Sequence, residues 1–357
     1  MGLLYSDLKI FHFKDKLDLL IEKEKRITPP IHIRIKPINV CCHNCRYCAY
    51  GKNNFKQFGK DKVEETYIPK EKMIEIIEDI IDMGVKAITF SGGGEPFLYP
   101  HFYDVLKKLA KSDIKFSALT NGSLLEGDVA KIFAQYGTWV RISMDGWDDK
   151  SYSFYRDVPE GEFTKIMTNM ENFKKYSGNC HLGVSFIVDE KNAPHVYEML
   201  KKLRSIGVDS VKVSPCLVND SAADNNNYHK PFFKDVELQI QRAINDFGND
   251  TFQIFNAYKE LGGKFKKDYQ WCPFIQILPV IGADLNIYAC PDKAYNLRSG
   301  VIGSIKNQRL KDFWFSDKNK FFMINPSIHC DHHCERNRKN KLVLEYLDVE
   351  KKHLSFI

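Results

Sequence analysis

No run of about 18 uncharged apolar residues occurs in the 357-residue sequence, so no membrane-spanning helix is expected. An export signal is missing as well: Asp7, Lys9, Lys14 and Asp15 fall where such a segment would be apolar, and the expected location is cytoplasmic. There is no solenoid-type repeat and no low-complexity tract beyond the short polar stretch Val218–Tyr228, which excludes repeat arrays and disordered chains. A dominant charge is absent too. The 52 Lys and Arg against 46 Asp and Glu leave +6, scattered as Lys-Lys pairs over expected helices. Neither nucleic acid nor a membrane is therefore expected as a partner, and the small excess suits at most an acidic small molecule.

What the sequence does have is ten cysteines. In a reducing compartment they point to metal binding or catalysis rather than disulfides. Cys41, Cys42, Cys45 and Cys48 form one group, Cys272, Cys290, Cys330 and Cys334 another, with only Cys180 and Cys216 between them.

From Pro30 onward, short β-branched runs alternate with amphipathic segments, the pattern of βα units on a parallel sheet. Strands are expected near His32–Val40, Lys86–Ser91, Lys115–Thr120, Trp139–Met144, Leu182–Val188 and Ser210–Pro215. Helices are expected at Lys70–Met83, where Met73, Ile76, Ile77, Ile80 and Ile81 share one stripe, at Val196–Ile206 and near Lys234–Phe247. Six units make an α/β fold that stops short of a closed eight-unit barrel. Val218–Tyr228 reads as a loop. The expected organisation is an N-terminal segment 1–29, a partial barrel 30–250, a C-terminal domain 251–345 and a tail 346–357.

The run INVCCHNCRYCAYG sits where the first strand opens into a loop, the face on which barrel enzymes build their sites. Cys41, Cys45 and Cys48 have the spacing C-x3-C-x2-C, so three thiolates from one loop can ligate three irons of a cubane and leave the fourth open. A zinc site borrowing His43 is the alternative.

This motif, with Tyr47 just before its last cysteine, resembles the signature of radical S-adenosylmethionine enzymes. After the second strand comes SGGGEPFLYP, similar to that family's GGE motif; the resemblance gives Gly93, Gly94 and Glu95 the methionyl amine of S-adenosylmethionine as their ligand. RISMDG, ending the fourth strand, resembles the segment that approaches the ribose and carboxylate, with Ser143 and Asp145 as candidates beside an ordinary Asx turn. The resemblance covers roughly Pro30 to Pro215 and implies a (β/α)6 TIM-like partial barrel. It also implies a [4Fe-4S] cluster bound to S-adenosylmethionine, and an external electron donor such as flavodoxin or ferredoxin.

Cys272, Cys290, Cys330 and Cys334 supply four thiolates, enough to ligate every corner of a second cubane. ADLNIYAC and the segment after it resemble the twitch or SPASM extension of that family, although Leu285 stands where a glycine is usual and the further cysteines of a full SPASM domain are missing. One auxiliary [4Fe-4S] cluster is thus expected, with a zinc site using His329, His332 or His333 as the alternative. Cys42 reads as a bystander and Cys180 as a small buried hydrophobe, while Cys216, ending a strand on the site face, is either an inert thiol or a hydrogen donor to a substrate radical.

The leading expectation is reductive cleavage of S-adenosylmethionine to a 5′-deoxyadenosyl radical that abstracts hydrogen from a small molecule, a sugar, cyclitol or nucleoside, giving dehydrogenation or epimerisation. A maturase of a ribosomally made peptide is the alternative, disfavoured by the short segment ahead of the first strand. From another class, the chain could be a non-catalytic iron–sulfur or zinc protein.

Overall fold

The computed structural model describes residues 4–20, 27–51, 60–61, 64–258 and 263–356. Its ten strands form one sheet in the order β10-β9-β8-β1-β2-β3-β4-β5-β6-β7. They are β1 His32–Ile35, β2 Ala87–Phe90, β3 Lys115–Thr120, β4 Trp139–Met144, β5 His181–Val188, β6 Ser210–Pro215, β7 Gln253–Asn256, β8 Val280–Ile281, β9 Asn286–Tyr288 and β10 Val301–Ser304. Every pair from β1 to β7 is parallel, and β8 adds to β1 in parallel before turning back through the antiparallel β9 and β10. The α/β partial TIM-like barrel expected from the βα alternation is the fold of this chain.

Helices alternate with the strands for the reason the periodicity suggests. In the helix Lys70–Asp82, Met73, Ile76, Ile77 and Ile80 are fully buried, while Ile81, one position off the stripe, is exposed. Burying each such side chain contributes about 1.5–3 kcal/mol. In β4 the alternation puts Val140, Ile142 and Met144 into the helix layer and turns Arg141, Ser143 and Asp145 the other way. In β1 it buries Ile33 and Ile35 against the helices and leaves His32, Arg34 and Lys36 on the opposite face. Beyond Ile35, Pro37 interrupts the ladder, so β1 ends well before Val40.

Val218–Tyr228 departs from the expected loop, because Ala222–His229 is a helix. Ser221 caps it by accepting from Asp224 N, and the fully buried Asn225 donates to Asn219 O at 2.8 Å and Ser221 O at 2.7 Å. Polar side chains satisfied inside the fold hold this helix, so no apolar period announced it. Leu285 has φ +63°, the left-handed conformation in which glycine is the usual residue.

Long-range ion pairs fasten the C-terminal part to the barrel. The Arg309 guanidinium grips Asp79 Oδ1 from Nε at 2.9 Å and Nη2 at 2.6 Å, and Trp314 Nε1 donates to Thr28 O at 2.9 Å. Since β7 pairs with β6 and β8 with β1, one sheet runs across the division at residue 250, which we keep as a proposed domain boundary. Among the described residues no helix is long and apolar enough to cross a membrane.

Candidate active site

Two adjoining cavities lie at the C-terminal ends of the strands. The first, about 550 Å³, is lined by Cys41, Cys45 and Cys48, by the glycines Gly92–Gly94 with Glu95, and by Arg34, Lys36, Asn121, Ser143 and Arg156. The second, about 360 Å³, lies between β5 and β6 and the C-terminal segment, lined by Tyr47, Ser185, Ser214, Cys216, Asp220, Asp292, His332, His333 and Glu335 among others. Tyr50 lines both. Its hydroxyl accepts from Lys36 Nζ at 3.1 Å and donates to Pro291 O at 3.3 Å, next to Cys290.

The cysteine loop is held by the end of the helix Asp149–Arg156. Asn44 N donates to Arg156 O at 2.9 Å, Arg46 N to Tyr155 O at 3.0 Å, and Arg46 Nε to Phe154 O at 2.6 Å. Arg156 Nη1 reaches Cys45 Sγ at 3.3 Å, and its Nε pairs with Asp145 Oδ1 at 2.9 Å. On the other side His43 Nε2 meets Ser123 Oγ at 2.8 Å, and Ser123 bonds Glu162. His43 Nε2 is thus engaged in fixing the loop, while its Nδ1 is buried without a partner beside the cavity. Cys42 accepts from Asn121 Nδ2 at 3.2 Å.

The glycine segment runs beside the chain that follows β1, with Gly94 N bonded to Ile38 O at 3.0 Å and Glu95 N to Val40 O at 2.9 Å. A Cβ on Gly94 would lie 2.0 Å from Val40 O, so only glycine permits this approach. Glu95 is 2% exposed and accepts from Thr120 Oγ1 at 2.6 Å, Asn121 N at 2.8 Å and Phe97 N at 3.0 Å. Burial pushes its carboxyl up to about 7 against these three donors. A cationic ligand group is what such a carboxylate lacks.

The cavity fits the expected cofactors by its donors. Three thiols from one loop line it, glycine backbone is bared beside them, and the lining Arg34 Nε, Ser91 Oγ and Arg156 Nη2 are buried without a partner. Ser143 lines the same space. Tyr47 falls in the second cavity, its hydroxyl buried and unpartnered. Cys180 is 7% exposed, in the helix layer.

Cys272, Cys290, Cys330 and Cys334, which are 62 positions apart from first to last, are brought near one another: the Cys290 charge bears on Cys272, Cys330 and Cys334. Cys272 Sγ lies 3.4 Å from Asn340 Oδ1. His329 is turned to Asn325 N at 3.0 Å, whereas His332 and His333 line the second cavity. Among the described residues no three His, Cys, Asp or Glu side chains converge as a single-ion site. Cys216 also lines the second cavity; burial pushes its thiol up to about 12, so it is protonated, with Sγ 4.0 Å from His229 Nε2.

Sequence reasoning missed Arg34, Lys36, Tyr50 and Arg156. The first two carried a signal: a basic residue at every second position of a strand otherwise Ile-rich marks an inward polar face. Arg156 sits on a helix with no motif, and nothing local announced it.

Residues 35–188 match the family described as the Radical SAM superfamily. The cysteine-type anaerobic sulfatase-maturating enzyme of Clostridium novyi is 26% identical over 326 residues, 84% of this chain and 83% of the relative. Among solved structures, Streptococcus suis SuiB bound to precursor peptide SuiA superposes with TM-score 0.62 at 16% identity, covering 89% of this chain and 72% of that one. Native anSMEcpe with bound AdoMet gives 0.61 at 19% identity, covering 89% and 97%.

These likenesses correct the expectation of a sugar, cyclitol or nucleoside substrate undergoing dehydrogenation or epimerisation. A relative matched along most of both chains is a maturating enzyme, so the short segment ahead of β1 is no argument against that class. Cys216 lines the second cavity, and a hydrogen-donor role for its thiol remains a proposal.

Proposed function

We infer the function from the family to which this chain belongs: it is a radical S-adenosylmethionine enzyme, and we propose that it is a maturase oxidising a residue of a peptide or protein. The observation that carries this reading is the likeness to a sulfatase-maturating enzyme over 84% of this chain and 83% of that relative.

When bound, the [4Fe-4S] cluster and S-adenosylmethionine supply a radical that removes hydrogen from carbon. In our reading Cys41, Cys45 and Cys48 hold that cluster, Gly93 and Gly94 present backbone to the cofactor's methionyl end, and Glu95 meets its amine. Ser143, Asp145 and Tyr47 remain proposed cofactor contacts, Asp145 acting through Arg156. Cys272, Cys290, Cys330 and Cys334 hold the auxiliary cluster. The substrate side chain enters the cavity beside Tyr50, where Ser185, Ser214 and Asp292 offer polar contacts to peptide groups. Net two-electron oxidation requires one proton to leave as well as one electron. Asp220 lines that cavity, and burial pushes its carboxyl up, which suits it to accept the proton.

The test is product analysis with dithionite-reduced, reconstituted enzyme and S-adenosylmethionine. Cysteine- and serine-containing peptides should raise 5′-deoxyadenosine formation and lose two hydrogens by mass. Stimulation by a nucleoside or sugar with every peptide unchanged would end the proposal.

A further inference from the structure

Arg336 is 8% exposed and flanks the start of the helix Asn337–Asp348, two residues after Cys334. Its guanidinium lies 5.8 Å from the centroid of the Phe274 ring, and Nη1 donates to Leu278 O at 3.3 Å. One turn on, Asn340 Oδ1 accepts from Cys272 Sγ and Phe274 N, so the helix start faces the Cys272 loop directly. Cys272 and Cys290 both lie within electrostatic reach of Arg336.

Arg34 of β1 is close enough for the Arg336 charge to oppose its own. Arg34 Nε has no partner. No ion pair to a carboxylate is formed by either guanidinium among the described residues, and Asp292 is the carboxylate whose charge bears most on Arg34. Two cations held this close oppose one another, and neither is paired directly with a carboxylate among the described residues.

We propose that Arg336, backed by Arg34, is the counter-charge of the auxiliary cluster held by Cys272, Cys290, Cys330 and Cys334, and raises that cluster's reduction potential. Four thiolates make an all-cysteine cubane anionic, and reduction adds one electron and one more negative charge. A fixed buried cation favours the more negative state, so the potential rises and the cluster becomes a better electron acceptor. Arg336 acts here as a positioning charge rather than a catalytic residue. This rests on the auxiliary-cluster reading above and is independent of what the substrate is.

The test is an EPR-monitored redox titration of full-length protein carrying Cys41→Ala, Cys45→Ala and Cys48→Ala, so that only the second cluster reports. Arg336→Gln, whose amide can still donate to Leu278 O, should move the midpoint to a more negative potential with iron content unchanged. Arg336→Lys, which keeps the charge, should return it towards the parent value. An unchanged midpoint in a fully loaded Arg336→Gln protein would overturn the proposal and leave the cluster assignment standing. Parent protein without iron would instead remove the cluster assignment and this inference with it. If Arg336→Gln loses iron, Arg336→Lys decides: a loaded cluster at the parent midpoint supports the proposal, and loss of iron there too overturns it, since charge would not be what matters.

Discussion

Arg156 joins two of the residues that the sequence marks separately: its Nη1 donates to Cys45 Sγ at 3.3 Å while its Nε holds Asp145 Oδ1 at 2.9 Å. Both members of the ion pair are almost wholly buried, with side chains 5% and 1% exposed. Burial opposes the charge on Asp145 and raises its carboxyl, and the guanidinium offsets only part of that penalty. A carboxylate at the end of β4 thereby sets the position of a thiol on the loop after β1.

Removing one partner of such a pair strands the other. Asp145→Ala should cost about 3–5 kcal/mol in urea unfolding. The exposed Lys131–Asp128 pair gives the contrast: Asp128→Ala should change stability by less than about 0.5 kcal/mol. Equal effects from the two substitutions would mean that the buried pair carries no special weight.

The three thiols of the first loop should be individually indispensable. Cys41→Ala, Cys45→Ala and Cys48→Ala should each abolish 5′-deoxyadenosine formation under dithionite, because an open-site cubane cannot survive on two thiolates. Iron on anaerobically reconstituted protein should fall from about eight to about four per chain when all three are replaced. Activity surviving in any single variant would remove that residue from the ligand set.

Both cysteine groups and the parallel sheet were legible because their signals are local. Lys115–Thr120, Trp139–Met144 and Ser210–Pro215 stand where the β-branched runs placed them. The polar interior was not legible. Tyr50 between two cavities and Arg156 under Cys45 depend on partners 241 and 111 positions away, and a hydrogen bond across the fold leaves no period in the sequence, while the buried Asn225 is held by polar bonds that make no apolar stripe. Substrate class is illegible for another reason, since neither the cysteine count nor the length of the N-terminal segment carries information about the residues that line the cavity.

Glu95 should make the cofactor-free protein sensitive to pH. Its carboxyl is raised in the folded state to about 7 from an ordinary 4.5, so between those values the folded chain binds the extra proton. Stability therefore falls as pH rises through that window, by up to roughly 3 kcal/mol, and the loss is complete above it. Glu95→Gln should flatten this slope in urea unfolding followed from pH 4.5 to 7.5. S-adenosylmethionine affinity in the wild type should rise over the same range, as the carboxylate that meets the amine forms. Parallel slopes for variant and wild type would place the titration elsewhere.

The glycines can be ranked by what a methyl group would strike. On Gly94 a Cβ would lie 2.0 Å from Val40 O and 2.4 Å from Val40 C, backbone that can yield only by separating the glycine segment from the chain after β1. On Gly93 the nearest atom, at 2.3 Å, is Asn39 Oδ1, the end of a side chain that can rotate. At Gly127 there is open space, and only its φ of +63° resists substitution, a strain of about 1 kcal/mol. Gly94→Ala should therefore lower thermal stability most and abolish S-adenosylmethionine binding, because the Gly94–Ile38 and Glu95–Val40 backbone bonds cannot both persist. Gly93→Ala should bind more weakly than wild type while remaining folded, and Gly127→Ala should bind normally. Calorimetric titration of the three variants checks the order, and a Gly94→Ala protein that binds like wild type would show that the glycine segment does not need its close approach to Val40.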